Sequence, residues 1–373
     1  MKNNRTFTAI FPPLYKHLFY WALTFILFFI LSHTPWFIEK VYSAYLYPVI
    51  AVSNRWFFSF FSFSAGDVLY VLVLVYFVFL MINFVTGYKN FKENLLRLSR
   101  FFLLIIWVFY FSWGLNYFRP GLSRTLGMQE EKYKLDELVQ LGRILKDSTN
   151  KYQKILTEND SLPVQVTYGI NRILNKTPAG YEKISGYLNQ KYTVPVIKTS
   201  LLSKPISYLH VTGYLNPFTG EAQINKNYPK FALPFVASHE VAHQLGYAPE
   251  DEANFLGYLS SVSHPDPYFK YSGYSAALYY VLIELKKYAP EKYKILMQEI
   301  NKGVKKNYAE EYRFYQKHKT KYDASKIYDS YLKVNKQESG IKSYNEMLKL
   351  LVAYYKLEVP LIKAGDSLSL IKK

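Results

Sequence analysis

The chain has 373 residues, a formal net charge of +18 and no cysteine; half of it is hydrophobic and 18% is aromatic. Without cysteine there can be no disulfide, no thiolate ligand and no cysteine nucleophile, so ligand chemistry falls to His, Asp and Glu. The positive charge suits anionic lipid headgroups or an acidic partner, but it is spread beside abundant Lys, Asn and Tyr, and no nucleic-acid module or glycine-rich phosphate loop accompanies it.

In chain order, the N-terminal third comes first. Leu18 to Leu31 is apolar apart from Thr24, Val68 to Val85 carries only Asn83 as a strongly polar residue, and Phe101 to Tyr117 is apolar and aromatic apart from Ser112 and Asn116. A hydrocarbon core of about 30 Å needs roughly 20 residues of helix. These runs therefore predict three transmembrane helices at about 17–33, 67–88 and 100–118, within a membrane region 1–120. The first is read as an anchor, because no small-residue cleavage pattern follows it. Between the first two spans, Trp36 to Phe63 is rich in Trp, Phe and Tyr, with Glu39, Lys40 and Arg55, and reads as helix lying in the interface.

Basic residues set the expected orientation. Lys2, Arg5 and Lys16 precede the first span, and Lys89, Lys92, Arg97 and Arg100 lie between the second and third. The positive-inside rule then puts the N-terminus and this loop in the cytoplasm. Three spans carry 121–373 across the inner membrane as an extracytoplasmic, periplasmic domain.

That domain opens with helical periodicity at Leu135, Leu138, Leu141, Leu145, Tyr152 and Ile155. Further helix is expected from about Val166 to Leu174, and strand-like residues occupy Val194–Thr199. Ser207–Tyr214 and Glu221–Asn225 flank Asn216-Pro-Phe-Thr-Gly220, a turn signal that makes a hairpin. In many zinc peptidases an edge strand borders the cleft and pairs with extended substrate, so Gly220, Glu221, Ala222 and Gln223 are candidate substrate-binding residues.

The most specific string follows: His239-Glu240-Val241-Ala242-His243, in a chain with only seven histidines. On a helix, residues four apart share a face, so both imidazoles can reach one zinc ion, with Glu240 beside them as base on a metal-bound water. Pro234 fits the first turn of this helix and Gly246 its end. A second helix is expected from Pro249 to about Ser261, its first turn holding Glu250, Asp251 and Glu252. One of these acids is the candidate third ligand. Glu250 is preferred, because Asn254 shares its face and can support a ligating histidine; Glu252 is the alternative, because it faces apolar residues and a buried carboxylate needs a partner. His264, Tyr271 and Tyr274 are candidates to stabilise an oxyanion by nearness in sequence. Beyond them, Tyr274–Tyr288, Glu291–Lys317, Ser325–Val334 and Tyr344–Tyr355 look helical.

Several motifs carry a family resemblance: Trp113-Gly-Leu-Asn-Tyr117, Pro217-Phe-Thr-Gly-Glu221, His239 to Gly246, Glu250 to Phe255, Tyr331-Leu-Lys333 and Ser343-Tyr344. Together they resemble the bacterial integral membrane proteins catalogued as domain of unknown function 3810, from the first span to near the C-terminus. The resemblance implies a membrane-anchored, zincin-like protein and supplies no activity. The expected fold is thus three membrane helices followed by a mainly α, α+β zincin-like domain with a small sheet. The expected function is a zinc-dependent metallopeptidase holding one Zn2+ through His239, His243 and Glu250. Its expected partners are a peptide or protein substrate and membrane lipids, with no nucleic acid. The alternative is a non-catalytic envelope scaffold or sensor with a structural metal. A transporter is disfavoured, because the three spans lack charged groups.

Overall fold

A computed structural model describes residues 13–87, 91–128, 132–188, 190–320 and 344–362. The expected helix at 325–334 lies outside the described residues, as do Lys2, Arg5, Lys89, Tyr331, Lys333 and Ser343.

Three helices are long and apolar enough to cross a membrane. They are α1 (Pro13–Ser32), α3 (Ala65–Thr86) and α4 (Phe91–Ser112), and α2 (Tyr47–Ser59) lies between the first two. The side chains of the three long helices are mostly exposed, as lipid-facing side chains must be in the absence of lipid. The third span differs from its expected 100–118. It begins nine residues earlier and ends at Ser112, because Trp113 to Phe118 turn into a buried 3-10 segment packed on the rest of the chain. Length of apolar sequence could not separate lipid-facing residues from these protein-facing ones.

Beyond 120 the fold is helical with one small sheet. Helix α5 (Leu135–Thr157) packs along α9 (Pro267–Tyr288), joining Leu138, Leu141 and Leu145 to Leu278, Val281 and Leu285 in the main core. Helix α6 (Ile170–Lys176) starts four residues later than expected, and upstream of it Val164 N donates to Asn307 Oδ1 at 2.9 Å. Strands β1 (Ile197–Thr199), β2 (Gly213–Leu215) and β3 (Ala222–Ile224) form the sheet in the order β1-β3-β2, with β1 parallel and β2 antiparallel to β3. The expected hairpin is present. Its two strands are short, and Ser207 belongs to a turn of helix instead.

Helix α7 (Leu233–Gln244) crosses beneath this sheet and pairs with α8 (Glu250–Ser263). Their close approach depends on Gly257, where a Cβ would lie 3.0 Å from His239 Cα and N. The stretch expected as one helix at 291–317 is two, α10 (Pro290–Glu299) and α11 (Lys302–Lys317), broken at Ile300 and Asn301. Helix α12 (Tyr344–Ile362) closes the core against α8.

Packing crosses the boundary at 120. Ile38, Tyr42, Tyr47 and Ala51 form one apolar cluster with Trp113, Leu115, Tyr117, Phe118 and, from the loop after α7, Ala248. The start of α3 is also tied to the sheet. Glu221 accepts from Ala65 N, Gly66 N and Lys198 Nζ, while Asp67 accepts from Ser200 Oγ and Leu201 N. The end of α1, the start of α3 and the end of α4 therefore lie on the side that bears the rest of the chain.

Candidate metal centre

Helix α7 is buried on every side, eleven of its twelve residues lying in the interior. Pro234 occupies its first turn, where a missing N–H costs nothing. Its end is set by Gly246, whose φ of +82° is open to glycine and strained for other residues. Gly246 N and Tyr247 N fold back onto His243 O and Ala242 O at 3.0 and 3.1 Å.

The last carbonyls of a helix need donors, and here most come from the membrane-proximal chain. Trp113 Nε1 donates to His243 O at 3.0 Å, and Tyr47 OH and Arg55 Nη1 donate to Gln244 O at 2.9 and 3.0 Å. Arg119 Nη1 donates to Gly246 O at 2.9 Å while its Nε pairs with Glu39 at 2.7 Å. Two cations at this negative end also complement the helix dipole.

His239, Glu240 and His243 bring their ligand atoms within 4.8 Å of one another. Glu250, from the first turn of α8, reaches both rings: Oε2 is 3.3 Å from His239 Nε2 and Oε1 is 3.6 Å from His243 Nε2. His243 Nδ1 lies 2.8 Å from Tyr247 O, which fixes the tautomer with Nδ1–H donating and leaves the Nε2 lone pair facing Glu250. Asn254 lies near His239 and favours its charged form, while its Oδ1 accepts from Tyr280 OH at 3.4 Å. Two polar atoms here, His239 Nδ1 and Glu240 Oε2, are buried without a hydrogen-bond partner.

Burial dominates the electrostatics. It pushes the Glu240 carboxyl up to about 8, opposed by His239 and reinforced by the Glu250 charge. It pulls His243 down to about 4, with the Glu250 charge opposing and His239 reinforcing. Burial also works against a charged His239, but the Glu250 hydrogen bond, the charges of Glu240 and Glu250, and Asn254 together outweigh it, so its pKa is raised. Carboxyl groups and imidazoles pushed this far apart within one pocket are a mark of chemically used sites.

Other candidate residues fall elsewhere. Glu252 points away from the histidines, its Oε1 accepting from Leu122 N at 2.6 Å as cap of the short helix Leu122–Thr125. In the candidate substrate-binding stretch, Ala222 and Gln223 lie in the central strand, bonded on both sides, so the free edges of the sheet belong to its neighbours. Gly220 gives its carbonyl to Gln244 Nε2 at 2.7 Å, and Glu221 is consumed at the start of α3. The edge strand beside the site is β2, where a Cβ on Gly213 would lie 2.7 Å from Glu240 Oε1.

None of the three oxyanion candidates joins the histidine pair. His264 is locked between Lys176 O and Asp266 N, Tyr271 OH donates to Asn307 at 2.8 Å, and Tyr274 stacks on Tyr152. Tyr47, Arg55, Trp113, Gly213 and the Tyr247 carbonyl carried no motif that would place them here. The nearest signals were Trp113, in a motif that carried the family resemblance, and Arg55, one of three charges in an aromatic stretch.

A family model described as a protein of unknown function, DUF3810, matches residues 42–352. The chain belongs to the DUF3810 family. No curated protein and no solved structure matches it. The matched stretch leaves out α1, so the resemblance expected from the first span onward begins one helix later. It does include the segment with Tyr47 and Arg55, so this DUF3810 match takes in both the metal-ligand candidates and the residues that hold their helix.

Proposed function

We propose that this chain is a membrane-anchored, zinc-dependent metallopeptidase with a zincin-like domain. The observation that carries it is the single carboxylate of Glu250 set against the Nε2 atoms of both His239 and His243, with Glu240 alongside. Two nitrogens and one oxygen suit zinc and leave a position open. The fit is supported by Tyr247 O, which turns the His243 lone pair inward, and by the unpartnered Glu240 Oε2. A divalent metal held by His239, His243 and Glu250 would supply Lewis acidity to a carbonyl and acidify a water.

The chain's own residues do the rest. Glu240 Oε2 takes a proton from the attacking water and passes it to the leaving amine, and burial, which raises its carboxyl above the usual range, strengthens it as a base. Gly213 lets the edge strand come up to Glu240, and a peptide laid along β2 would place its carbonyl there. Asn254 steadies His239. Lys16, Lys92, Arg97 and Arg100 sit in or before the ends of α1 and α4 remote from the site, which supports a cytoplasmic far side, an extracytoplasmic site and residence in the inner membrane.

The test is the full chain in lipid nanodiscs, with metal content and cleavage of a peptide library measured together. Wild type should hold about one zinc per chain and His239→Ala should lose it. Glu240→Gln should keep the metal and abolish cleavage. Zinc bound without any cleavage, with Glu240→Gln supporting normal growth where a deletion does not, would favour a scaffold with a structural metal. No zinc in reloaded wild type would sink the proposal.

A further inference from the structure

Helix α2 has two unlike faces. Tyr47, Ala51 and Arg55, spaced by four, are 3%, 5% and 2% exposed and press on the end of α7. Arg55 spends its guanidinium on three backbone carbonyls, Gln244 O, Thr193 O and Val194 O, at 3.0 to 3.1 Å. On the opposite face Val49, Trp56 and Phe60 are 67%, 57% and 69% exposed, joined by Phe57. Such a surface needs a cover.

The chain itself says what covers it. Residues 33–64 are held at one end by α1, which stops at Ser32, and at the other by α3, which starts at Ala65. Both ends are therefore at the boundary of any bilayer these spans cross, so the segment leaves that surface and returns to it. Its exposed residues include Trp36, Tyr45, Trp56, Phe57 and Phe60, of the types that favour the headgroup region. Two of its three charged residues turn inward, Arg55 to α7 and Glu39 to Arg119, and the third, Lys40, is exposed over the Trp36 ring, where a cation can meet lipid phosphates. On the site side the distance is just as short. Trp113 directly follows α4; its indole donates to His243 O, and its ring stands edge-on to His243, centroids 6.0 Å apart.

We infer that α2 lies in the headgroup layer and holds the metal centre at the bilayer surface, so that its substrates are polypeptides tethered to the same membrane and cut close to the tether. The placement of α2 stands alone; the substrate class rests on the metallopeptidase reading.

Because the chain has no cysteine, single spin labels are clean probes. Trp56→Cys, Phe60→Cys and, as an exposed residue of the domain, Leu209→Cys are labelled in nanodiscs of phosphatidylethanolamine and phosphatidylglycerol. Labels at 56 and 60 should be relaxed more by oxygen than by a water-soluble nickel complex, and the label at 209 the reverse. Water-like behaviour at 56 and 60 overturns the inference. Zinc-loaded wild type in the same discs then receives a palmitoylated peptide with a randomised 25-residue tail, and the same peptide without the lipid. Cuts should fall within about ten residues of the lipid, given a chain reach of about 3.4 Å per residue, and at least about tenfold faster than in the free peptide. Cuts spread along the tail, or equal rates, overturn the substrate class while leaving the peptidase reading intact. No cleavage of either peptide overturns the peptidase reading and the substrate class with it, and the labels still decide where α2 lies.

Discussion

Glu240 owes its position to an atom its neighbour lacks. A Cβ at Gly213 would stand 2.7 Å from Glu240 Oε1 and 2.9 Å from its Cγ, so Gly213→Ala must push the carboxylate or the strand aside. Zinc content should be unchanged, because Gly213 touches no ligand candidate, while kcat falls by about ten- to a hundredfold, the usual cost of a displaced catalytic group. An unchanged kcat would remove Glu240 from the role of base. The histidines predict a pH dependence. His239 is raised above its ordinary 6.5, so the metal-free protein holds a proton there to higher pH than a free imidazole would, and a metal must displace it; His243, down at about 4, is already neutral near neutrality. Zinc affinity should therefore rise with pH through the His239 pKa, by roughly tenfold per unit below it. Calorimetry at pH 6 in two buffers of different ionisation enthalpy should register net proton release on zinc binding, and no release would remove His239 as a protonated ligand. The pair His239 and His243 was legible from spacing alone, because helical period fixes i and i+4 on one face. The choice between Glu250 and Glu252 was not. Two positions apart on a helix they point to different neighbours, and only the packing of α8 shows that one meets the histidines and the other meets Leu122 N.

At the scale of elements, α7 depends on donors from far along the chain. Arg55 is buried and its three bonds go to backbone carbonyls, so Arg55→Met leaves those oxygens without their donor; it should cost about 2–4 kcal/mol. Thermal unfolding of the full chain in nanodiscs checks this, and a shift within error would show that water replaces the guanidinium. The strong periodicities translated directly into helices: Leu135–Thr157, Glu250–Ser263 and the helix through His239 lie close to where their apolar spacing and punctuation put them. The sheet was harder. Strands of three residues carry almost no pattern, and strand order depends on which segments meet. So β3, read as the peptide-binding edge, is the centre, and β2 takes the edge beside Glu240.

For the whole molecule, the chain that carries the three long apolar helices also holds the domain behind it. Glu221 and Asp67 tie the sheet to the start of α3, and Tyr47, Arg55, Trp113 and Arg119 hold the end of α7. A fragment of residues 121–373 loses those four donors together. It should melt about 10 °C or more below the full chain, by the few degrees per kcal/mol expected at this size, and bind zinc more weakly. Equal melting temperature and affinity would mean the domain is self-sufficient. By itself, sequence determined what local physics controls: three apolar runs long enough to span, helices set by a 3.6-residue period, and two histidines forced onto one face. Tertiary structure decided what depends on contacts between distant segments. It ended the third apolar helix at Ser112, because Trp113 buries on α7; it set Glu250 and not Glu252 against the histidines, because α8 docks with that carboxylate toward them; and it made an arginine in an aromatic stretch a cap for the helix that carries them. A side chain's partner across 190 residues is set by packing, which leaves no periodic trace in the chain.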